Sequence, residues 1–228
     1  GLQEIREGIE EVRVQPESER PVTLLVSTSL ASYWLMPRLA RFKAQHTGFD
    51  LRCITMDSDR DIPVADFDLC IALGAAQWPG MQRWYFTDEA LFPVCSPAYI
   101  KERGPIVDNR ALLRHELLHL EERYYSRFDW GKWFVHFGFD ARDTPQGWTS
   151  NDYSIVIQAA LEGQGVAIGW RHIVQPLIEN GSLVRPINES ISTDNPFYIM
   201  APRDREVATA TRALRDWLVH EMGALPAK

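Results

Sequence analysis

Apolar residues in this chain recur with two spacings, and the switches between them mark out its elements. Val22-Thr23-Leu24-Leu25-Val26 is a short β-branched and apolar run that predicts a buried strand, and the polar Ser27-Thr28-Ser29 loop ends it. From Tyr33 to Gln45 the apolar positions fall at helical spacing, and His46-Thr47-Gly48 stops the helix. A second strand from Phe49 to Met56, a polar loop from Asp57 to Asp61 and a third strand from Phe67 to Leu73 follow. After Trp78-Pro79-Gly80 the chain returns through Arg83 to Thr87 and Glu89 to Pro97, and the series restarts. It continues with a strand at Glu116 to Leu120, an aromatic helix at Trp130 to Phe137, and elements at Ile173 to Leu183 and Phe197 to Met200. A last helix, Val207 to Met222, carries Leu214, Trp217 and Leu218 on one face, which can pack on the first sheet. Strands alternating with helices predict an α/β fold with doubly wound sheets. Ligands of such sheets bind outside the carboxyl ends of the strands, here the Ser27 to Ser29 loop, the Asp57 to Asp59 loop and Gly74.

The stretch from Trp148 to Trp170 is the most informative. Ser150, Asn151 or Asp152 can cap a helix that places Ile155, Val156, Ala159 and Ala160 on one apolar face and ends at Gly163. Gly165 then leads into Val166-Ala167-Ile168, a run of the kind buried on both faces of a parallel sheet. Unpaired N–H groups and the positive dipole end at Ser150 to Tyr153 favour an anionic group, so this helix start is a candidate binding site.

Charge and composition narrow the function classes. A formal net charge of -7 argues against this chain itself holding a nucleic-acid backbone, which needs a concentrated positive field. Cys53, Cys70 and Cys95 sit in apolar runs at no metal-ligand spacing and read as core thiols of a protein in a reducing cytoplasm. No run approaches the roughly 18 apolar residues of a membrane span. Leu2, Ile5, Ile9 and Val12 recur at three- and four-residue steps, which fits either a solvated helix packed on its own domain or the tail of a dimerisation helix. Pro16 to Pro21 is a polar hinge, and the start at Gly1-Leu2 without methionine suggests a fragment of a longer protein.

His115-Glu116-Leu117-Leu118-His119 matches the zinc-peptidase pattern, in which two imidazoles one helical turn apart bind zinc and the glutamate activates water. No third ligand follows at the expected spacing, and the surroundings read equally as a short helix entering a buried strand, which would separate the imidazoles. The chain shows no G-x-S-x-G, P-loop, dinucleotide fingerprint or C-x-x-C motif. The aromatic stripe from Trp130 to Phe137 is most simply core.

These pieces together resemble a known family. Thr23 to Ser27, Trp34-Leu35-Met36-Pro37-Arg38-Leu39, Phe67 to Ala72, Trp78-Pro79-Gly80, Phe92-Pro93-Val94-Cys95-Ser96-Pro97 with Tyr99, and Gln158-Ala159-Ala160 with Gly163 to Ile168 resemble the effector-binding domain of LysR-type transcriptional regulators. Within that family they are similar to the subgroup of the glycine-cleavage activator, the β-lactamase regulator and the D-serine deaminase activator. The resemblance runs from about Pro21 to the C-terminus. It implies a periplasmic-binding-protein-like fold of two α/β subdomains joined by two crossovers, expected near Phe92 to Ser96 and near Phe197 to Ala201. Residues 1–20 would then be the end of a linker helix and hinge, residues 21–94 with 199–228 subdomain I, and residues 95–198 subdomain II. It also implies that the segment around His115 and His119 is a loop entering a strand, outside any metal site.

Carried over by position, Ser29 matches a first-loop hydroxyl that contacts ligand in relatives, with Thr28 beside it. Asp61 matches an acidic position tied to the uninduced state, and it reads also as a surface or capping carboxylate. Asp57, Ser150, Asn151, Asp152 and Tyr153 complete the expected ligand set, whose mixture of donors and negative charge suits a zwitterion such as D-serine. Asn151-Asp152-Tyr153 departs from the serine pair of the β-lactamase regulator, so that regulator's muropeptide ligand does not transfer. The expected protein is non-enzymatic and without cofactor or metal, a homo-dimer or tetramer that reaches DNA through an N-terminal helix-turn-helix domain absent from this chain. A free-standing solute-binding protein of the same fold is the alternative, and a zinc peptidase the remote one. If Leu2 to Val12 continue a dimer helix, sedimentation of the purified chain should show a dimer or a monomer–dimer equilibrium, and a strict monomer at high concentration would count against that helix.

Overall fold

The first apolar run forms β1 (Val22–Ser27), in which Val22, Leu24, Leu25 and Val26 are buried. It belongs to a computed structural model that describes residues 20–56, 66–74, 79–121 and 128–223. The Leu2 to Val12 seam, Asp57, Asp61 and Trp78 lie outside the described residues. Ser27 turns the chain into a helix, since its Oγ accepts the Leu30 amide at 3.2 Å. A π-helical stretch, Leu30–Leu35, continues directly into α1 (Met36–Gln45). Next come β2 (Leu51–Met56) and β3 (Leu69–Leu73), which flank β1 in parallel, and then β4 (Met81–Thr87).

The second half begins with β5 (Ala90–Val94) and α2 (Pro97–Arg103), which Ser96 caps by accepting the Tyr99 amide at 3.2 Å. It runs on through β6 (His119–Leu120), α3 (Trp130–His136), β7 (Thr149–Ser150), α4 (Tyr153–Leu161), β8 (Ala167–Trp170), α5 (Arg171–Glu179) and β9 (Ile191–Ser192). The chain then returns as β10 (Phe197–Pro202) and α6 (Thr209–Gly223).

The first sheet has the order β2-β1-β3-β10-β4, with β10 antiparallel to both neighbours. The second has the order β8-β5-β9, and β6 and β7 pair in parallel and join it through a bridge between Leu117 and Val166. Mixed α/β layers of this kind form the periplasmic-binding-protein-like fold expected. Two local expectations change. β8 is buried on both faces, but it runs antiparallel to β5 and has only the Leu117 to Val166 bridge in parallel. β5 lies in the second sheet, pairing Leu91 with Trp170 and Val94 with Ala167, so the chain passes between the sheets at residues 88–89 and 193–196. Both passages are upstream of Phe92 to Ser96 and Phe197 to Ala201, because those segments are consumed by ladder hydrogen bonds.

Aromatic rings fill the layer outside the first sheet. Trp217 of α6 has its ring centroid 4.9 Å from Phe42 of α1 and 6.5 Å from Trp34. Burying each indole contributes roughly 4 to 6 kcal/mol of transfer free energy, which holds α6 on this sheet. The Trp130 to Phe137 stripe is also core: Trp130, Trp133 and Phe134 are buried, and the two indole N–H groups donate to the Leu118 carbonyl at 3.0 Å and Asn109 Oδ1 at 2.8 Å. Cys70 and Cys95 are buried and Cys53 half-buried; burial pushes the Cys95 thiol up to about 12.

Two glycines let the strand at Leu117 to Leu120 close against its neighbours. A Cβ on Gly147 would lie 2.0 Å from the Leu117 carbonyl oxygen, and one on Gly165 would lie 2.7 Å from that of Glu116. Backbone cannot yield as a flexible side chain does, so Gly147→Ala should cost about 1 to 3 kcal/mol in urea denaturation. A stability equal to the parent's would mean that this strand packs differently.

Candidate functional site

A cavity of about 70 Å³ lies between the two sheets, at the carboxyl ends of their strands. From the first sheet it is lined by Ser27, Thr28, Ser29 and Leu30 after β1, by Met56 ending β2, and by Ile71, Ala72 and Leu73 of β3. From the second come Leu120, Asn151, Asp152, Tyr153, Trp170, His172 and Ile173, and Phe197 of β10 closes the rim. Five of the expected residues, Thr28, Ser29, Asn151, Asp152 and Tyr153, therefore meet here, although Ser29 and Asn151 are 122 positions apart in sequence (151 − 29). Ser150 does not line the cavity; its Oγ accepts the Asp152 amide at 3.1 Å. Gly74 is also outside it, and the space where its Cβ would stand is taken by Asn195.

Each half contributes a helix start. On the first side Ser27, rather than Thr28 or Ser29, does the capping, and the buried Ser29 hydroxyl has one hydrogen-bond partner among the described residues, Ser27 Oγ at 3.2 Å. On the second side Asp152 caps α4, its Oδ1 accepting the Ser154 amide at 2.7 Å. Tyr153 departs from the expected donor role. Its hydroxyl donates to the Ile168 carbonyl and accepts the Trp170 amide, both at 3.0 Å, so it is already paired within its own half. Burial pushes this phenol far above its ordinary range.

The two halves touch directly beside the cavity. Tyr33, in the π-helical stretch, donates its hydroxyl to the Ser154 carbonyl at 3.2 Å. Its pKa is raised, first by burial and then by the negative Asp152. Among the described lining residues there is no arginine or lysine, and Asp152 is the one carboxylate. The charge of a bound anion would thus be met by helix N-termini and hydroxyls, and an ammonium by Asp152. Sequence reasoning did not select Met56, Leu120, His172 or Phe197. His172 of α5 and Phe197 of β10 meet with ring centroids 4.3 Å apart and planes tilted at 59°, a pairing that no local pattern signals.

A profile of the LysR substrate binding domain matches residues 15–223 of this chain. The chain belongs to that LysR family. It is 32% identical over 203 residues to the glycine cleavage system transcriptional activator of Escherichia coli K12, covering 89% of this chain and 65% of that protein. It is 27% identical over 183 residues to the E. coli K12 transcriptional regulator DsdC, covering 78% of this chain and 58% of DsdC. The chain thus spans just under two thirds of the first of these regulators and a smaller share of the second. The fold is similar to the effector domain of AmpR of Pseudomonas aeruginosa, with a TM-score of 0.73 and 24% identity over 90% of this chain and 96% of that one. The regulatory domain of CrgA from Neisseria meningitidis matches with a TM-score of 0.71 and 18% identity over 90% of this chain and 99% of that one.

In this LysR domain the His115 to His119 segment is not a helix. The His115 ring meets the Tyr99 hydroxyl at 3.2 Å, while His119 sits in β6, where its amide donates to the Trp148 carbonyl at 2.8 Å. Extended chain rises about 3.3 Å per residue, so residues four apart stand roughly 13 Å from one another, too far to share a metal ion. Among the described residues no group of three or more His, Cys, Asp or Glu is placed to hold one.

The Tyr33 hydroxyl bond to Ser154 joins the two halves at the cavity's edge, and Tyr33→Phe removes it while keeping the ring. That variant should lose about 0.5 to 1.5 kcal/mol in chemical denaturation. An unchanged midpoint and slope would mean that the bond adds nothing in solution.

Proposed function

We propose that this LysR domain senses a small amino acid, with D-serine or glycine-like molecules ahead of larger acids, in the cavity between its two halves. The observation that carries the reading is the meeting of two helix starts with one carboxylate and no lining arginine or lysine among the described residues. Helix N-termini and the Ser29 and Thr28 hydroxyls attract a carboxylate, and Asp152 supplies the counter-charge for an ammonium group. A dicarboxylate or phosphate would meet Asp152 with repulsion and find no bidentate guanidinium. A cavity of about 70 Å³ holds around five water-sized groups, the scale of a small amino acid. The name of one relative points the same way, the glycine cleavage system transcriptional activator.

In this reading the domain is non-enzymatic and works in the cytoplasm within a longer regulator that reaches DNA through an N-terminal helix-turn-helix domain and assembles as a homo-dimer or tetramer. The two sheets act as subdomains I and II. A metabolite bridging them favours one relative arrangement and shifts its population, which alters the spacing of the DNA-binding heads. Asp57 and Asp61, which follow Met56 in sequence, are proposed to complete the ligand set and to bias the resting state.

Ser29 is the proposed carboxylate anchor. Removing its hydroxyl leaves a buried carboxylate one hydrogen bond short, at a cost of about 1.5 to 3 kcal/mol, so calorimetry with D-serine and glycine should show affinity falling roughly tenfold or more in Ser29→Ala with unchanged circular dichroism. Equal affinity in Ser29→Ala, or no amino acid bound by the parent, would reject the assignment.

A further inference from the structure

Glu89 is a glutamate only 4% exposed, placed in the first passage between the sheets. Side chains of this type are almost never fully buried without fixed partners, so its contacts identify what it holds. Its Oε1 accepts the Trp170 indole N–H at 2.8 Å, and its Oε2 accepts the Thr193 hydroxyl at 2.6 Å. Its carbonyl accepts the Thr193 amide at 3.0 Å. Thr193 lies in the return passage, and its hydroxyl oxygen also accepts the Asn195 amide at 3.2 Å. One residue thus ties together both passages and the end of β8.

Trp170 connects this clamp to the cavity. Trp170 lines the cavity, and its indole meets the Tyr153 ring edge-on, with centroids 4.7 Å apart and planes at 85°. The Tyr153 hydroxyl holds the Trp170 amide, so the two rings form one unit pinned from behind by Glu89. Bonds to a carboxylate are short, directional and stronger than neutral ones. Rotation of one sheet against the other is absorbed at a few residues in the connecting passages. Any such rotation must therefore carry Trp170 along or break its bond to Glu89.

We propose that Glu89 is a positioning residue of the cavity, clamping both passages to the Trp170 wall so that cavity occupancy and the angle between the sheets change together. The ligand arm of the test rests on the amino-acid reading above; the geometric arm does not. Spin labels at Lys43 of α1 and Lys101 of α2, both exposed, would report the inter-sheet distance distribution in the full chain carrying Cys53→Ser. Without ligand, Glu89→Gln, Thr193→Val and Trp170→Phe should each broaden that distribution, Thr193→Ser should restore it, and Glu89→Gln combined with Thr193→Val should be no broader than either alone. With D-serine, Glu89→Gln should bind roughly tenfold more weakly than the parent, although Glu89 does not line the cavity. Parent-like distributions in both Glu89→Gln and Thr193→Val overturn the clamp, whatever the ligand. Broadened distributions in a protein that binds no amino acid support the clamp and reject the amino-acid reading instead.

Discussion

The return of β10 into the first sheet is the interaction on which the rest of this structure depends. Its antiparallel ladders, to β3 on one side and β4 on the other, convert three parallel strands and a detached fourth into a single sheet. They also bring the chain back after the whole second sheet has been built, so the two halves are joined by two passages instead of one. A single linker would leave the halves free to pivot in any direction. Two passages side by side restrict the relative motion to something closer to one axis, which is what a cavity needs if its two walls are to approach in register.

The cavity follows from that arrangement. Strands end at its floor, and the chain leaves them through two helix starts, one capped by Ser27 and the other by Asp152, whose residues line the cavity from both halves. Its polarity comes from the Ser27, Thr28 and Ser29 hydroxyls, Asn151 and His172, with Asp152 as counterweight, set among apolar and aromatic lining residues. Such a site is selective by omission as much as by contact, because the absence of guanidinium groups among its described lining residues disfavours multiply charged anions. Tyr33 and Glu89 then link the walls to the body of the molecule from two sides, one bridging the halves at the cavity's edge and the other holding the hinge behind it.

Much of this was legible along the chain. The runs that became β1, β2, β3 and β8 are apolar and β-branched, α4 opens on a capping aspartate and ends at Gly163 with φ of 74°, and α6 carries its three large apolar residues on one face. These are local signals, set by side-chain periodicity and by the conformations that capping residues and glycine permit within one or two turns. They were enough to predict the α/β class and to single out the Ser27 to Ser29 loop and the helix start at Ser150 to Tyr153, because helix starts announce themselves in sequence, while Ser29 and Thr28 as ligand contacts came from the resemblance to LysR-type regulators.

Tertiary structure decided everything that depends on distant partners. Whether Ser29 or Ser27 caps the helix, whether Ser150 faces a ligand or the Asp152 amide, and whether the Tyr153 hydroxyl is available were settled by which backbone groups lay unpaired nearby. The apparent zinc motif dissolved because pairing of Leu117 with Val166 and His119 with Thr149 drew that segment into strand, where residues four apart separate instead of converging. Membership of β5 in the second sheet, the contact of the His172 ring with Phe197 and the bonds from Glu89 to Trp170 and Thr193 join residues from 25 to 104 positions apart. Periodicity states which face a residue occupies within its own element. Only the packing of those elements chooses the face that it meets.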